Sequence, residues 1–263
     1  MTTITPQNAA EKVGRPGQGM TVALFTTSTN DVMSPRTGQA VTSLLERLGC
    51  TVEFPYEQTC CGQITTNTGY FDETVPMIRS YVDAFSDYDY VVAPSGSCVA
   101  AVRDQHTMIA EHIGDKGLER AAAQTSKRTY DLPEFLVDVL GVTDVGAYFP
   151  HSVTYHPSCH GRRLIHLGDR PLKLLQNVRG MTLVDLPAEE QCCGFGGTFS
   201  IKNPDVSAAM AADKARHVRE TGAEYVVAGD NSCLLNIGGV LSRQNSGVKP
   251  IHLAEILANT EED

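Results

Sequence analysis

Apolar residues in this chain fall in short runs that alternate with stretches of helical periodicity. Thr21–Thr26 is a compact apolar run suited to a buried strand. From Thr37 to Leu48, the residues Ala40, Val41, Leu44, Leu45 and Leu48 share one helical face, and Gly49 stands where a C-cap is expected. Thr51–Phe54 predicts a second strand. Thr74–Phe85 predicts a second helix, with Pro76 tolerated in its first turn. Tyr90–Pro94 predicts a third strand, and another helix begins near Cys98.

The same order then recurs. Val153–His156, Pro171–Val178, Thr182–Leu186, Pro204–Thr221 and Tyr225–Ala228 repeat strand, helix, strand, helix, strand. Local identity marks the duplication: Tyr90-Val91-Val92-Ala93 returns as Tyr225-Val226-Val227-Ala228, and Leu44-Leu45 as Leu174-Leu175. Each half closes on a similar helix, Leu132–Leu136 and Leu253–Leu257. Strands alternating with helices predict βαβ units and a parallel sheet. The expected fold is therefore α/β, with two similar lobes in tandem related by a pseudo-twofold axis. The lobes are expected over residues 21–148 and 149–263, after a disordered tail over residues 1–20.

Composition narrows the function. With 263 residues, 41% of them hydrophobic, the chain can bury one large or two small cores. The net charge is −10 and no Lys/Arg stripe stands out, which argues against nucleic acid as a partner. No run of 18 apolar residues suggests a membrane span. The first 20 residues lack the apolar segment of a signal peptide, so a cytoplasmic location is expected. Disulfides are disfavoured there, and clustered cysteines point to metal or redox chemistry.

Seven of the eight cysteines form two matching sets. Cys60-Cys61-Gly62 is followed by Cys98, and Cys192-Cys193-Gly194 by Cys233 at nearly the same distance. Each double cysteine lies just past the second strand of its half, and each trailing cysteine just past the third. Loops at the carboxyl ends of parallel strands carry the chemistry of such sheets. Cys159, after the first strand of the second half, completes a four-thiol set with Cys192, Cys193 and Cys233. Four converging thiolates suit a tetrahedral metal or a four-iron cluster. In Gly194-Phe195-Gly196-Gly197, Gly194 and Gly196 let backbone N–H groups approach cluster sulfur, or simply form a tight turn.

The first half offers only Cys60, Cys61 and Cys98, with Ser28 at the place of Cys159. This set could take zinc, take a second cluster, or stand as a degenerate copy. Cys50 has no counterpart in the repeat and reads as a buried packing residue. His156 and His160 flank Cys159; a loop histidine with an ordinary hydrogen bond is the simpler reading, a metal ligand the sharper one. Ser95 and Ser97, just before Cys98, either donate to sulfur or cap the next helix. No motif assigns a catalytic residue.

The duplicated pattern resembles the cysteine-rich CCG domain family, which includes the catalytic subunit of heterodisulfide reductase. The stretches that carry it are Leu45–Phe54, Thr59–Gln63 and Pro94–Cys98 in the first half, and Cys192–Ser200 and Leu235–Gly239 in the second. The resemblance implies an iron–sulfur oxidoreductase subunit that oxidises L-lactate to pyruvate only together with partners. Those partners would include other subunits of a lactate-utilization system, among them a ferredoxin-type iron–sulfur protein. It implies Cys159, Cys192, Cys193 and Cys233 as ligands of a [4Fe-4S] cluster, and Cys60, Cys61 and Cys98 as ligands in the first copy. It also leaves open a thiol–disulfide oxidoreductase subunit or a non-enzymatic zinc-binding module. The family pattern opens each copy with a cysteine and closes it on Cys-x-x-Cys. Here Ser28, Ser95 and Asp230 depart from that pattern, so a five-thiolate cluster is not expected.

Overall fold

A computed structural model describes residues 15–262. The first half runs β1 (Thr21–Leu24), α1 (Ser28–Met33), α2 (Pro35–Arg47), β2 (Thr51–Glu53), α3 (Gln63–Thr66), α4 (Phe71–Phe85), β3 (Val91–Ala93) and α5 (Gly96–Ala100). It continues through a wide helical turn at Ala101–Gln105 into α6 (His106–His112), α7 (Lys116–Ser126), β4 (Thr129–Asp131) and α8 (Leu132–Glu134), then a second wide turn at Phe135–Val139. The second half runs β5 (Ser152–Tyr155), α9 (Cys159–Arg163), α10 (Arg170–Gln176), β6 (Thr182–Val184), α11 (Phe199–Lys202) and α12 (Pro204–Glu220). It ends with β7 (Tyr225–Ala228), α13 (Asn231–Arg243), β8 (Lys249–His252) and α14 (Leu253–Ala258).

The tandem α/β repeat is as expected. Each half is a four-stranded, all-parallel sheet, ordered β2-β1-β3-β4 and β6-β5-β7-β8. In both, chain order reverses beside the first strand, so a crevice opens at the carboxyl ends of β1 and β3, and of β5 and β7. The two edge strands β4 and β8 go beyond the sequence expectation. Pro250 lies in β8, where an edge position tolerates the missing N–H. Pro76 differs from expectation. Helix α4 begins at Phe71, so Pro76 lies inside the helix and not in its first turn.

Part of the expected tail, residues 1–14, lies outside the described residues. Residues 15–20 form a turn docked on the lobe: the Gly17 N–H donates to Leu48 O at 2.9 Å, and the Thr51 N–H to Met20 O at 2.8 Å.

The halves share one core. Val41, Leu44 and Leu45 of α2, Phe135 and Leu136 after α8, Leu174 and Leu175 of α10, and Ile256 and Leu257 of α14 are all buried in a single cluster. The packing is reciprocal: the closing helix of each half lies on the first long helix of the other, α14 on α2 and α8 on α10. That exchange is the signature of a pseudo-twofold relation. Polar contacts reinforce it. Thr37 Oγ1 donates to Glu255 Oε1 at 3.0 Å, and Asn231 Nδ2 donates to Asn30 Oδ1 at 3.0 Å and Thr37 Oγ1 at 2.8 Å. Arg47 donates to the Leu257 and Ala258 carbonyls at 2.6 Å each, near the C-terminal end of α14, where a cation is favoured.

Replacing Arg47 by Met should therefore lower stability by about 1.5–3 kcal/mol, the range for hydrogen bonds that involve a charged group. Urea unfolding should show an earlier midpoint with an unchanged slope. A variant as stable as wild type would remove this guanidinium from the contacts that join the halves.

Candidate metal centre

In each half, the residues after the first, second and third strands converge on the crevice. In the second half they are Cys159 at the start of α9, Cys192 and Cys193 after β6, and Cys233 in the first turn of α13. Their thiols hydrogen-bond in a chain, Cys159 to Cys192, Cys192 to Cys193 and Cys193 to Cys233. Cys193 and Cys233 are buried, and Cys159 and Cys192 half-buried.

Such a chain cannot ionise evenly. The Cys192 sulfur accepts from Cys159, from Cys193 and from the Gly194 N–H at 3.4 Å, and is held as thiolate with a pKa lowered to about 2. Cys159 and Cys193, which give hydrogen bonds to that thiolate, are pushed well up, with burial adding to the rise. Cys233 is also raised: its bond with Cys193 pulls it down, but burial and the charges of Asp230 and Cys192 outweigh that. The Phe195 N–H also points at Cys193. Gly194 sits at φ 83°, and a Cβ there would lie 2.8 Å from both Met210 Cβ and Ser207 O. Only glycine lets the loop turn N–H groups onto sulfur at this spot.

Two further residues complete the surroundings. Lys214 of α12 is 0% exposed and donates to Ala188 O at 2.7 Å and Glu189 O at 3.3 Å. Burial lowers its pKa, while the nearby Cys193 and Cys192 favour its charge. A buried ammonium is expensive unless compensated, so this cation and the sulfur anions offset one another.

His156, directly after β5, is 1% exposed, and neither ring nitrogen has a hydrogen-bond partner. One of its nitrogens and the Cys193 and Cys233 sulfurs all lie within 4.8 Å of one another. The simpler sequence reading of an ordinary loop hydrogen bond does not hold for His156. Leaving a buried polar group unpaired costs about 1–3 kcal/mol. Burial, with the Lys214 charge, lowers its pKa to about 3, so the ring is neutral and carries a free lone pair at physiological pH.

The first half repeats the chain with one change. Ser28, at the start of α1, bonds Cys60, Cys60 bonds Cys61, and the Cys61 and Cys98 sulfurs are 3.2 Å apart. A hydroxyl thus takes the place of the Cys159 thiol. Cys60 is lowered to about 5, first by the Cys61 hydrogen bond and then by Ser28 and the Gly62 N–H, against burial. Cys61 is pushed up by giving hydrogen bonds to its neighbours and by burial. His106 of α6 is buried under this set, with Nε2 2.8 Å from Cys61 O. Cys50 is buried in the shared core, away from both sets. Ser95 caps α5 by accepting from the Cys98 N–H, which settles its role as a cap, and its hydroxyl lies 3.2 Å from that of Ser97.

The first thiol set faces loops of the second half. A cleft of about 300 Å³ is lined by Ser28, Cys60, Cys61 and Cys98 from the first half and by Phe195, Gly197, Thr198 and Asp230 from the second. Asp230 caps α13 through the Ser232 N–H and reaches across to accept from the Ser97 N–H of α5 at 3.0 Å. Gln63, next to Gly62, lies 3.2 Å from His160 Nε2, and His160 Nδ1 lies 3.4 Å from Cys159 Sγ. His106 and Lys214 carried no motif, and Gln63 ended the Thr59–Gln63 stretch without a role of its own. A lone residue of these types is legible only once the fold has placed it.

Fold and thiols together define a duplicated, cysteine-rich α/β protein with a sulfur-lined crevice in each half. The chain belongs to the cysteine-rich CCG domain family, which matches residues 22–103 and 153–238. It is 48% identical over 240 residues to lactate utilization protein A of Oceanobacillus iheyensis, covering 90% of this chain and 96% of that one. It is 47% identical to the protein of the same name from an Exiguobacterium species and 46% identical to that of Geobacillus kaustophilus, covering 90% of this chain in both cases. Among solved structures, glutamate racemase RacE1 of Bacillus anthracis aligns at 10% identity with a TM-score of 0.37, over 92% of this chain and 79% of that one. That likeness is too distant to bear on the chemistry.

In metal-free protein, the half-exposed Cys60 thiolate should be alkylated by iodoacetamide ahead of buried Cys61 at neutral pH. Its rate should fall as the pH drops through about 5, where the sulfur takes up its proton. Peptide mass spectrometry checks this. Equal labelling of the two residues would contradict the assigned charge distribution.

Proposed function

We propose that this chain is the iron–sulfur subunit of a multi-protein system that oxidises L-lactate to pyruvate, relaying electrons through a cysteine-ligated cluster. The observation that carries this reading is the mutually bonded set of buried Cys193 and Cys233 and half-buried Cys159 and Cys192, in a chain nearly half identical to relatives named for lactate utilization. The donor set fits such a group: four sulfurs, two backbone N–H groups aimed at them, and a buried cation at hand. A bound cluster would supply one-electron steps.

The chain's own residues do the rest. Lys214 offsets anionic charge in a dry site. The Gly194 N–H stabilises charge on Cys192. Gln63 and His160 link the second thiol set to the loop of the first. Lactate yields its electrons as a pair, and this chain shows no flavin or nicotinamide fingerprint, so partner subunits must take part. A ferredoxin-type iron–sulfur protein suits the onward step. Exposed Val32, Tyr56 and Ile201 give a partner apolar contacts near the cleft. Among the described residues no helix is long and apolar enough to cross a membrane, which is compatible with work in the cytoplasm.

In the first half, Cys60, Cys61 and Cys98 with the Ser28 hydroxyl would hold zinc or a second cluster. A second reading draws on the cleft over these residues: a half-exposed thiolate facing 300 Å³ of space suits thiol–disulfide exchange. A zinc-binding module without redox activity is the third reading, and it would be colourless.

Cys193→Ser should abolish the brown absorbance of anaerobically purified protein and lactate oxidation by the reconstituted system, while Cys50→Ser should leave both unchanged. Full absorbance in Cys193→Ser would contradict the ligand assignment. Turnover of lactate by the purified chain alone would contradict the relay.

A further inference from the structure

The repeat supplies its own control for His156. Phe25 follows β1 as His156 follows β5. The Phe25 N–H donates to Val92 O at 2.9 Å, and the His156 N–H donates to Val227 O at 2.8 Å. Val92 and Val227 are themselves equivalent residues of β3 and β7. The two side chains thus occupy one position in one scaffold. Phe25 is fully buried and packs edge-on against Tyr81 and Phe85, with ring centroids 5.0 and 5.4 Å away. The scaffold therefore accepts an apolar ring here and does not require an imidazole.

His156 is as deeply buried, at 1% exposure, yet both nitrogens lack a hydrogen-bond partner. Its neighbours include two sulfurs, Cys193 and Cys233, within 4.8 Å of a ring nitrogen and of each other. Imidazole and thiolate are common joint ligands of zinc, and two histidines replace two cysteines at one iron of some iron–sulfur centres. From the shared position, the unpartnered ring and the two adjacent sulfurs, we infer that His156 is a nitrogen ligand of the metal centre held by Cys193 and Cys233. The second-half centre is then a mixed sulfur–nitrogen site: with four positions to fill and His156, Cys193 and Cys233 taking three, only one of the half-buried thiols Cys159 and Cys192 is a ligand as well. His160, which touches Cys159 and Gln63, is not the ligand.

This inference rests on the presence of a metal at the second thiol set and deepens the reading given above. It is tested on the full-length protein purified without oxygen, after its iron, zinc and sulfide have been measured. With iron and sulfide present, pulsed EPR of the reduced protein should show a strongly coupled nitrogen. That signal should change on labelling with ¹⁵N-histidine, persist in His160→Ala and vanish in His156→Phe, the substitution that the first half already carries. The labelled wild-type spectrum needs no variant, so a folding defect in His156→Phe does not block the test. Only weakly coupled nitrogens, insensitive to histidine labelling, would overturn the inference and leave the cluster reading intact. With zinc in place of iron, zinc-edge X-ray absorption showing one imidazole beside sulfur would uphold the ligand and sink the cluster. An all-sulfur zinc shell would overturn both, as would protein that binds neither metal on reconstitution.

Discussion

Everything about this molecule turns on the placement of several buried and half-buried sulfurs side by side in each half, where they cannot all carry charge at once. Sulfur beside sulfur raises the energy of each further thiolate, so Cys60 and Cys192 are stabilised as anions while Cys61, Cys159 and Cys193 are driven to keep their protons. Deprotonating the whole set demands positive charge from outside. Lys214 provides one such charge in the second half, and the loop N–H groups add partial charge. A metal centre supplies the remainder, because ligation stabilises thiolates outright.

The fold exists to bring these sulfurs together. All strands of each sheet run parallel, so their carboxyl ends share an edge, and the reversal of strand order opens that edge into a crevice. Reciprocal packing of α14 on α2 and α8 on α10 then fixes the two halves to each other. Asp230 caps α13 of the second half and accepts from the Ser97 N–H in the first turn of α5, which ties the two halves together at this end. Duplication followed by divergence is visible in the paired positions. Ser28 stands opposite Cys159 and Phe25 opposite His156, so the first half has a weaker donor set on the same scaffold.

Much of this was legible in the sequence. The repeat, the central strands and the convergence of Cys159, Cys192, Cys193 and Cys233 all follow from period, spacing and the rule that loops after parallel strands meet. The misses have physical causes. Strands β4 and β8 show no apolar run: β4 is Thr129-Tyr130-Asp131 directly after Lys127-Arg128, and β8 is Lys249-Pro250-Ile251-His252, with a proline inside it. Pro76 suggested a helix start because proline is usual in a first turn, but here α4 begins at Phe71 and runs through it. His156 was visible as a residue but not as an unpartnered one. Its alignment with Phe25 in the repeat was the available signal, since an imidazole facing a phenyl ring across a duplication marks a functional difference.

Iron, zinc and acid-labile sulfide per chain, measured on protein purified without oxygen, test the central claim most directly. The account predicts about four irons with matching sulfide, the content of one four-iron cluster, and a brown solution. Stoichiometric zinc without sulfide, in a colourless protein, would contradict it.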